Sequence, residues 1–477
     1  MMAKKPELVF LPATLPGHIV SAIELAKLLI SRDDRLSITI LLIKFPNSPS
    51  LNATGITFIE LPQIDPPSPN TAQTPEAILS IFLDSHKPLV KDTITQLFLS
   101  SSESDSMPTR SRDSKLVGLV IDFFCTTMID VANELGVPSY LFFTSTAHML
   151  GVMLHLPVLD AQIHTDFEES DTELIIPGFT NPVPRRVLPQ PMWTKNQDGY
   201  SWYLYHARRF REAKGIIVNT FEEFESHAVR SLTSDGRTPP LYPVGPLIDL
   251  EGRILNPDQS QFENIKRWLD DQPTSTVVFL CFGSSGSFSA PQVKEIALGL
   301  ERSGHRFLWS IREPPRERFT LPGDYTNPEE VLPEGFLDRT AERGLLCGWV
   351  PQVAVLAHRA IGGFVSHCGW NSIMESFWFD VPIAGWPLYA EQHLNGFAMV
   401  KELGGLVVEL KMDFRGWDDD LVIAEEVEKA VRKLMDADCE VRTKVKDISE
   451  KSRRALMDGR SSFISLERFI KNLMEEN

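Results

Sequence analysis

The sequence predicts an α/β protein built as two Rossmann-like domains whose parallel sheets face a cleft. Three observations carry that prediction. At 477 residues the chain is too long for one ordinary core. Short apolar runs alternate with amphipathic stretches of helical spacing, the pattern of a parallel sheet covered on both faces. That alternation stops at a proline- and glycine-rich cluster, "PPLYPVGPLIDLEG" (239–252), and then begins again.

In the first run, "ELVFLP" (7–12) reads as a buried strand, followed by a loop with Pro16 and Gly17 and by the helical "IVSAIELAKLLIS". Further strands are expected in "LSITILLI" (36–43), "GITFIEL" (55–61), "LVGLVIDFF" (116–124), "PSYLFFT" (138–144) and "GIIVNT" (215–220), with "TMIDVANELG" (127–136) as a helix. After the junction come the helix in "FENIKRWLDD", the strand "STVVFLCFG" (275–283), the helix "QVKEIALGLERSG" and the strand "RFLWSIR". Later strands are "GLLCGWV" (344–350), "IGGFVSH" (361–367) and "PIAGWP" (382–387), and "SSFISLERFIKNLMEEN" closes the chain as an amphipathic helix. Segments 62–75, 100–114 and 312–331, rich in Pro, Ser or charge, are expected as surface loops.

Hydrophobic residues make up 43% and charged residues 23%, as in a folded globular protein, and the net charge of −17 argues against a nucleic-acid partner. Five scattered cysteines in apolar runs, with no CxxC pair, suit reduced thiols in a cytoplasmic protein. Pro12 and Pro16 break the apolar N-terminal stretch, and no run reaches the ~18–20 residues of a membrane span. The sequon Asn52-Ala53-Thr54 carries no glycan in such a compartment.

The stretch "HCGWNSIMES" (367–376) joins the end of a buried strand to a helix. Unpaired N–H groups and the helix dipole make that place attractive to anions. Gly369 permits close backbone approach, and Asn371 and Ser372 can donate to phosphate oxygens. Either alone would be no more than a helix cap, but together with His367 and Trp370 they point to phosphate binding. Glu375, one turn on, lies on the same face and could accept a sugar hydroxyl. A second junction, "FLCFGSSGSFS", offers Ser284 in a small-residue turn; it is neither GxGxxG nor a P-loop.

His18 follows the first strand in a glycine-containing loop, and Asp122 ends another strand of the same domain, so both can reach one rim of the sheet. An aspartate holding one imidazole nitrogen leaves the other free to take a proton. No GxSxG elbow supports a hydrolase. Asp436-Ala-Asp438 spells DxD but follows the helical "VEKAVRKLM", which makes it a surface helix end, so no catalytic metal is expected.

Residues 349–392, "WVPQVAVLAHRAIGGFVSHCGWNSIMESFWFDVPIAGWPLYAEQ", closely resemble the signature box of the plant secondary-product family 1 UDP-glycosyltransferases, at its characteristic length and without gaps. "GHIVSAIELAK", "YPVGPL" and "GFLDRTAERGLLCGWVPQ" extend the resemblance over nearly the whole chain. It implies the GT-B fold: an acceptor-binding domain (1–248), a UDP-sugar-binding domain (249–455), and a final helix (456–477) crossing back onto the first.

Carried over by position, the resemblance implies that Trp349 stacks on the uracil with Val350 and Gln352 near the base. Glu375 would bind the ribose, and Ser284, His367, Asn371 and Ser372 the diphosphate. Glu391 and Gln392 would hold the sugar, with glutamine there associated with glucose. His18 would be the base and Asp122 its orienter. The implied reaction is inverting transfer of glucose from UDP-glucose, as co-substrate and without metal, to a hydroxyl of a small apolar plant metabolite, a flavonoid, another phenolic or a terpenoid. Phe124, Phe143, Thr144, His148 and Met192 are the acceptor-pocket candidates, although such residues could equally be core. A monomer is expected.

Two residues depart from the family pattern: Asp380 where glycine is usual, and Gly385 where Thr, Ser or Ala is common. A backbone φ above zero at 380 would suit aspartate less well than glycine. The rival from another class is a non-catalytic nucleotide-sugar or metabolite-binding protein of this fold, against which His18 and Asp122 count. A nicotinamide oxidoreductase is disfavoured by the missing GxGxxG.

Overall fold

The computed structural model describes residues 5–44, 51, 53–68, 70–98, 114–163, 165–166, 173–252, 259–316, 320–416 and 420–475. Asn52 and residues 100–113 of the second expected loop lie outside these. The first sheet contains β1 (Lys5–Leu11), β2 (Ser37–Leu42), β3 (Ile56–Glu60), β4 (Ser114–Asp122), β5 (Ser139–Phe143), β6 (Gly215–Val218) and β7 (Leu241–Pro243). Its order is β3-β2-β1-β4-β5-β6-β7, and all pairs are parallel.

The second half continues with β8 (Val277–Cys281) and β9 (Arg306–Ser310), a small antiparallel hairpin of β10 (Arg312–Glu313) and β11 (Gly323–Asp324), then β12 (Gly344–Cys347), β13 (Ile361–Ser366), β14 (Ile383–Gly385) and β15 (Val407–Glu409). The second sheet runs β12-β9-β8-β13-β14-β15, again all parallel. In both sheets the chain starts in the middle, works to one edge, and returns past its start to the other. The direction therefore reverses between β1 and β4 and between β8 and β13, and crevices open beyond the carboxyl ends at such switch points.

The central strands are buried on both faces, so their sequences are continuous apolar runs. Leu8 to Leu11 of β1 and the whole of "VVFLC" in β8 are buried. The helix Pro16–Arg32 starts with proline at its first turn, where no N–H is needed, and buries Ala22, Ile23, Leu25, Ala26 and Leu29. The final helix, Ser461–Glu475, belongs by contact to the first sheet: Leu466, Phe469, Ile470 and Leu473 join its core, and Phe469 meets Tyr140 and Tyr242 edge-on at 5.0 and 5.3 Å.

All strands read from the sequence are present. β7 and β15 were not among them, because each is only three residues long, and β7 ends in a proline within the cluster read as a junction. Proline is acceptable there since β7 is an edge strand. The segment 312–331, expected as a loop, instead contains the β10–β11 hairpin and a short 3-10 turn, Pro328–Glu330.

Asp380 has φ 61°. It follows the helix Trp370–Trp378 at the left-handed closing position: its N–H donates to the Phe377 carbonyl at 3.2 Å, and the Val381 N–H donates to that of Ser376 at 2.9 Å. That motif explains the usual glycine. Burial raises the Asp380 carboxyl above its ordinary value in spite of nearby Lys446 and Arg453, so the charge does not compensate the backbone cost. Asp380→Gly is expected to stabilise the protein by about 0.5 kcal/mol, read as a raised thermal midpoint with unchanged activity. Gly385 has a packing reason: a Cβ there would lie 2.9 Å from Cys368 Sγ and 3.2 Å from Met412 Sδ.

Candidate active site

The two switch points carry the chemistry-bearing residues. His18 lies in the first turn of the helix after β1, and Asp122 is the last residue of β4. Their side chains meet, with His18 Nδ1 2.8 Å from Asp122 Oδ2 and Asp122 2% exposed. The other carboxylate oxygen accepts the Phe124 N–H at 3.0 Å, so the aspartate cannot swing away. Thr144 Oγ1 lies 3.2 Å from the same imidazole nitrogen, and the rings of Phe123 and Phe124 lie 5.3 and 5.9 Å from His18. Burial alone would lower the imidazole pKa, but the charge and hydrogen bond of Asp122, with the charge of Glu391, raise it above the ordinary value. Nδ1 is thus committed to Asp122, and Nε2 is the nitrogen that can accept a proton.

Beyond β8 and β13, the ring of His367 is packed between Gly283 and Gly369; a Cβ on either would come within 2.6 or 2.5 Å of its Nε2. Burial pushes His367 down to about 4, so it is neutral at pH 7, and its Nδ1 is buried without a hydrogen-bond partner. Cys368 takes a left-handed conformation, φ 61°, held by Asn395 Nδ2, which donates to its carbonyl at 3.0 Å. The helix Trp370–Trp378 begins at Gly369 with no side-chain cap. Asn371 and Ser372 therefore follow the cap position rather than fill it, and half-exposed Ser284 follows β8, the strand paired with β13.

Each carries a different task. Asn371 Nδ2 crosses the cleft to donate to the Gly17 carbonyl at 3.1 Å, and Ser21 donates to Asn371 Oδ1 at 3.4 Å. Ser372 Oγ and Glu375 Oε2 both accept from Gln352 Nε2, at 2.8 and 2.6 Å. Burial pushes Glu375 up to about 7. Trp370 is turned away from the crevice: its indole N–H donates to the Asn219 carbonyl of the other half at 2.7 Å, and its ring stacks on Phe224. Its side chain serves the seam between the halves.

Trp349 is half-buried, and its N–H donates to Asp324 Oδ1 of the hairpin at 3.0 Å, an oxygen that Arg312 also approaches at 2.9 Å. The unexpected hairpin therefore braces this tryptophan. Val350, beside it, is buried. Glu391 accepts from Ser145 across the cleft at 3.2 Å, and Gln392 Oε1 accepts the N–H groups of Leu388 and Tyr389 at 2.9 and 3.0 Å.

Among the acceptor candidates, Phe124 and Thr144 stand beside His18 as described. Phe143 and Met192 have no exposed surface and lie in the core of the first half, where they can only back a pocket wall. His148 gives Nδ1 to Glu225 Oε1 at 2.6 Å; Glu225, wholly buried, also accepts the Ala147 and His148 N–H groups at the start of the helix Ala147–Gln162. Glu225 was not read from the sequence, since it pairs with a residue 77 positions away. Asp436 and Asp438 form an exposed turn in which the Asp438 N–H donates to Asp436 Oδ1, as expected of a helix end. Among the described residues no helix is long and apolar enough to cross a membrane.

Residues 240–438 match the family model described as UDP-glucoronosyl and UDP-glucosyl transferase. The chain is 50% identical to UDP-glycosyltransferase 71K1 of Malus domestica, covering 99% of this chain and 100% of that one. It is 48% identical to UDP-glucose flavonoid 3-O-glucosyltransferase 6 of Fragaria ananassa, covering 99% of both. Among solved structures it is similar to UGT71G1 of Medicago truncatula complexed with UDP-glucose, with TM-score 0.86, 46% identity and 98% of each chain covered. Its two sheets, with their paired switch points, are those of the GT-B glycosyltransferases. Identity at this level along nearly the full length of both chains shows that this chain is a member of the UDP-glucoronosyl and UDP-glucosyl transferase family and a UDP-glycosyltransferase.

Proposed function

We propose that the protein transfers glucose from UDP-glucose to a hydroxyl of a small, largely apolar plant metabolite, with inversion at the anomeric carbon. The observation that carries this reading is the His18–Asp122 pair facing the uncapped helix of the Asn371 loop across one cleft. His18 Nε2 takes the acceptor proton as the hydroxyl oxygen attacks, the bond from the sugar to UDP breaks on the opposite face, and Asp122 stabilises the imidazolium that forms. The departing diphosphate gains negative charge, which the first-turn N–H groups, Ser284 and neutral His367 can meet with fixed dipoles. Trp349 is the platform for the base and Glu375 the acceptor for ribose hydroxyls. Glu391 and Gln392 hold the sugar, and the mechanism asks nothing of a metal.

The named relatives support glucose as the sugar and a flavonoid hydroxyl as one acceptor class. Phe123, Phe124 and Thr144 beside His18 suit a flat apolar acceptor. The protein is proposed to act as a cytoplasmic monomer. The stereochemistry is tested by proton NMR of the isolated product: a large anomeric coupling identifies the β-glucoside expected, whereas an α-glucoside would sink the single-displacement mechanism. Trp349→Ala is expected to weaken UDP binding by about tenfold or more, the worth of one base stacked on an aromatic ring. Isothermal titration checks this, and an unchanged affinity would remove Trp349 from the site.

A further inference from the structure

We infer that Glu402 is a positioning residue for the transfer: it clamps the helix that begins at the sugar-holding Gln392 to the acceptor half of the molecule, and so fixes the donor loop relative to His18.

The helix Gln392–Phe397 continues as a π turn, Ala398–Glu402, with its first residue at the proposed sugar site and its last bonded to Thr180 and Asn181 of the first half. By sequence it belongs to the second half, between β14 and β15, and Met399 and Val400 of the π turn pack in that half's core, but the side chains of its first turns are packed in the first half. Leu394, with no exposed surface, is part of the first half's core, and Phe397 packs against that core. Phe397 lies 6.3 Å from Phe179, whose ring is 4.8 Å from His148, the partner of Glu225. Asn395 on the same helix holds the Cys368 carbonyl and with it the left-handed turn of the phosphate-facing loop. This helix is therefore a strut that touches the sugar end, the phosphate loop and the acceptor half at once.

Its outer end is fastened by one carboxylate. Glu402 Oε2 accepts both the N–H and the hydroxyl of Thr180 at 2.7 Å, and Oε1 accepts the N–H and the side-chain amide of Asn181 at 3.0 and 2.9 Å. The same Asn181 amide also donates to the Lys401 carbonyl at 3.2 Å. Burial disfavours the charge, but these four donors hold the Glu402 carboxyl below its ordinary value. Four charge-assisted bonds from two adjacent residues are far more than a surface glutamate needs for solubility. A π turn within a helix is itself uncommon and is often found where function requires a local distortion; here it ends on the clamping residue. Glu402 touches no reacting atom in this arrangement. Its effect on rate runs through the strut, because a small displacement of the sugar relative to the base is costly when attack must be in line.

The inference rests on the glucosyl-transfer reading for its kinetic consequence, but not for its structural one. The test compares wild type, Glu402→Ala and Glu402→Gln by transfer kinetics, UDP affinity, thermal midpoint and hydrogen exchange of the unliganded proteins. Gln keeps an oxygen for Asn181 and sets its amide against the Thr180 N–H, so it should fall between the other two. Expected for Glu402→Ala is a kcat lowered between about tenfold and about a hundredfold, with UDP affinity and thermal midpoint close to wild type. Exchange should quicken in residues 176–183 and 392–405 and stay unchanged in the sheets. Unaltered exchange in those segments overturns the clamp, as does quickened exchange with an unchanged kcat. Parallel losses of UDP affinity, thermal midpoint and kcat would also overturn it, since they would show a merely structural residue. If wild type glucosylates nothing, the proposed function fails on that result, while the exchange comparison still decides the clamp.

Discussion

His18→Ala is expected to lower kcat by about 10²- to 10⁴-fold, the range that a positioned general base contributes. UDP affinity should be unchanged, because Trp349, Gln352, His367 and Ser372, the groups proposed to meet the nucleotide, lie in the other half of the molecule. Alanine suits the first turn of the helix Pro16–Arg32, and the Gly17 carbonyl that receives Asn371 is backbone, so the seam survives the substitution. Loss of transfer together with loss of UDP binding would mean that the variant had disturbed the cleft. Retained transfer would remove His18 from the mechanism.

Asp122→Asn is the second large effect, and it separates orientation from charge. Phe124 N–H already donates to Oδ1, so the asparagine oxygen is expected at that position and its NH₂ group at the position facing His18. A donor there requires Nδ1 to be the unprotonated nitrogen. The proton then sits on Nε2, the nitrogen that should receive the acceptor's proton, and kcat at its plateau falls by about 10²-fold or more. The pH dependence shifts as well. His18 works in its neutral form, so the rate rises with pH through its pKa, which Asp122 and Glu391 hold above the ordinary value. Removing the Asp122 charge leaves burial more nearly unopposed, which lowers that pKa, and the rising limb of kcat/KM should move to lower pH. A lower plateau with an unmoved limb would contradict the assigned electrostatic role.

Both predictions concern residues legible in the sequence, and the reason is topological. A catalytic residue at the end of a central strand lies beside a recognisable apolar run, and "ELVFLP" and "LVGLVIDFF" place His18 and Asp122 on one rim before any contact is known. The signature stretch is legible for a similar reason, since its glycines and small polar residues interrupt an otherwise apolar strand and helix. What periodicity does not reveal is the seam. Asn371 looks like a cap and instead reaches Gly17, 354 positions away; Trp370 looks like part of the phosphate loop and donates to Asn219 of the other half. Glu225 and Glu402 carry no signal in the sequence, because the groups they bind arrive from distant parts of the chain. The β10–β11 hairpin was hidden by its brevity and its polar composition, although it braces the tryptophan that the sequence did identify.

The same contrast accounts for the two departures from the family pattern. The possible cost of Asp380 was readable as a condition on φ, and the backbone meets that condition. Gly385 had no explanation until Cys368 and Met412 were seen to occupy the space of its missing side chain.

The central claim is that one cleft joins a His18–Asp122 base to a UDP-glucose site. It is tested most directly by incubating the purified protein with UDP-glucose and a panel of flavonoids, other phenolics and terpenoid alcohols, with His18→Ala in parallel, and searching by mass spectrometry for an added hexose. The account predicts a hexoside of at least one acceptor with wild type and a yield lower by about 10²-fold or more with the variant. Bound UDP without any hexoside across the panel, or the same hexoside formed at comparable rates by both proteins, would contradict it.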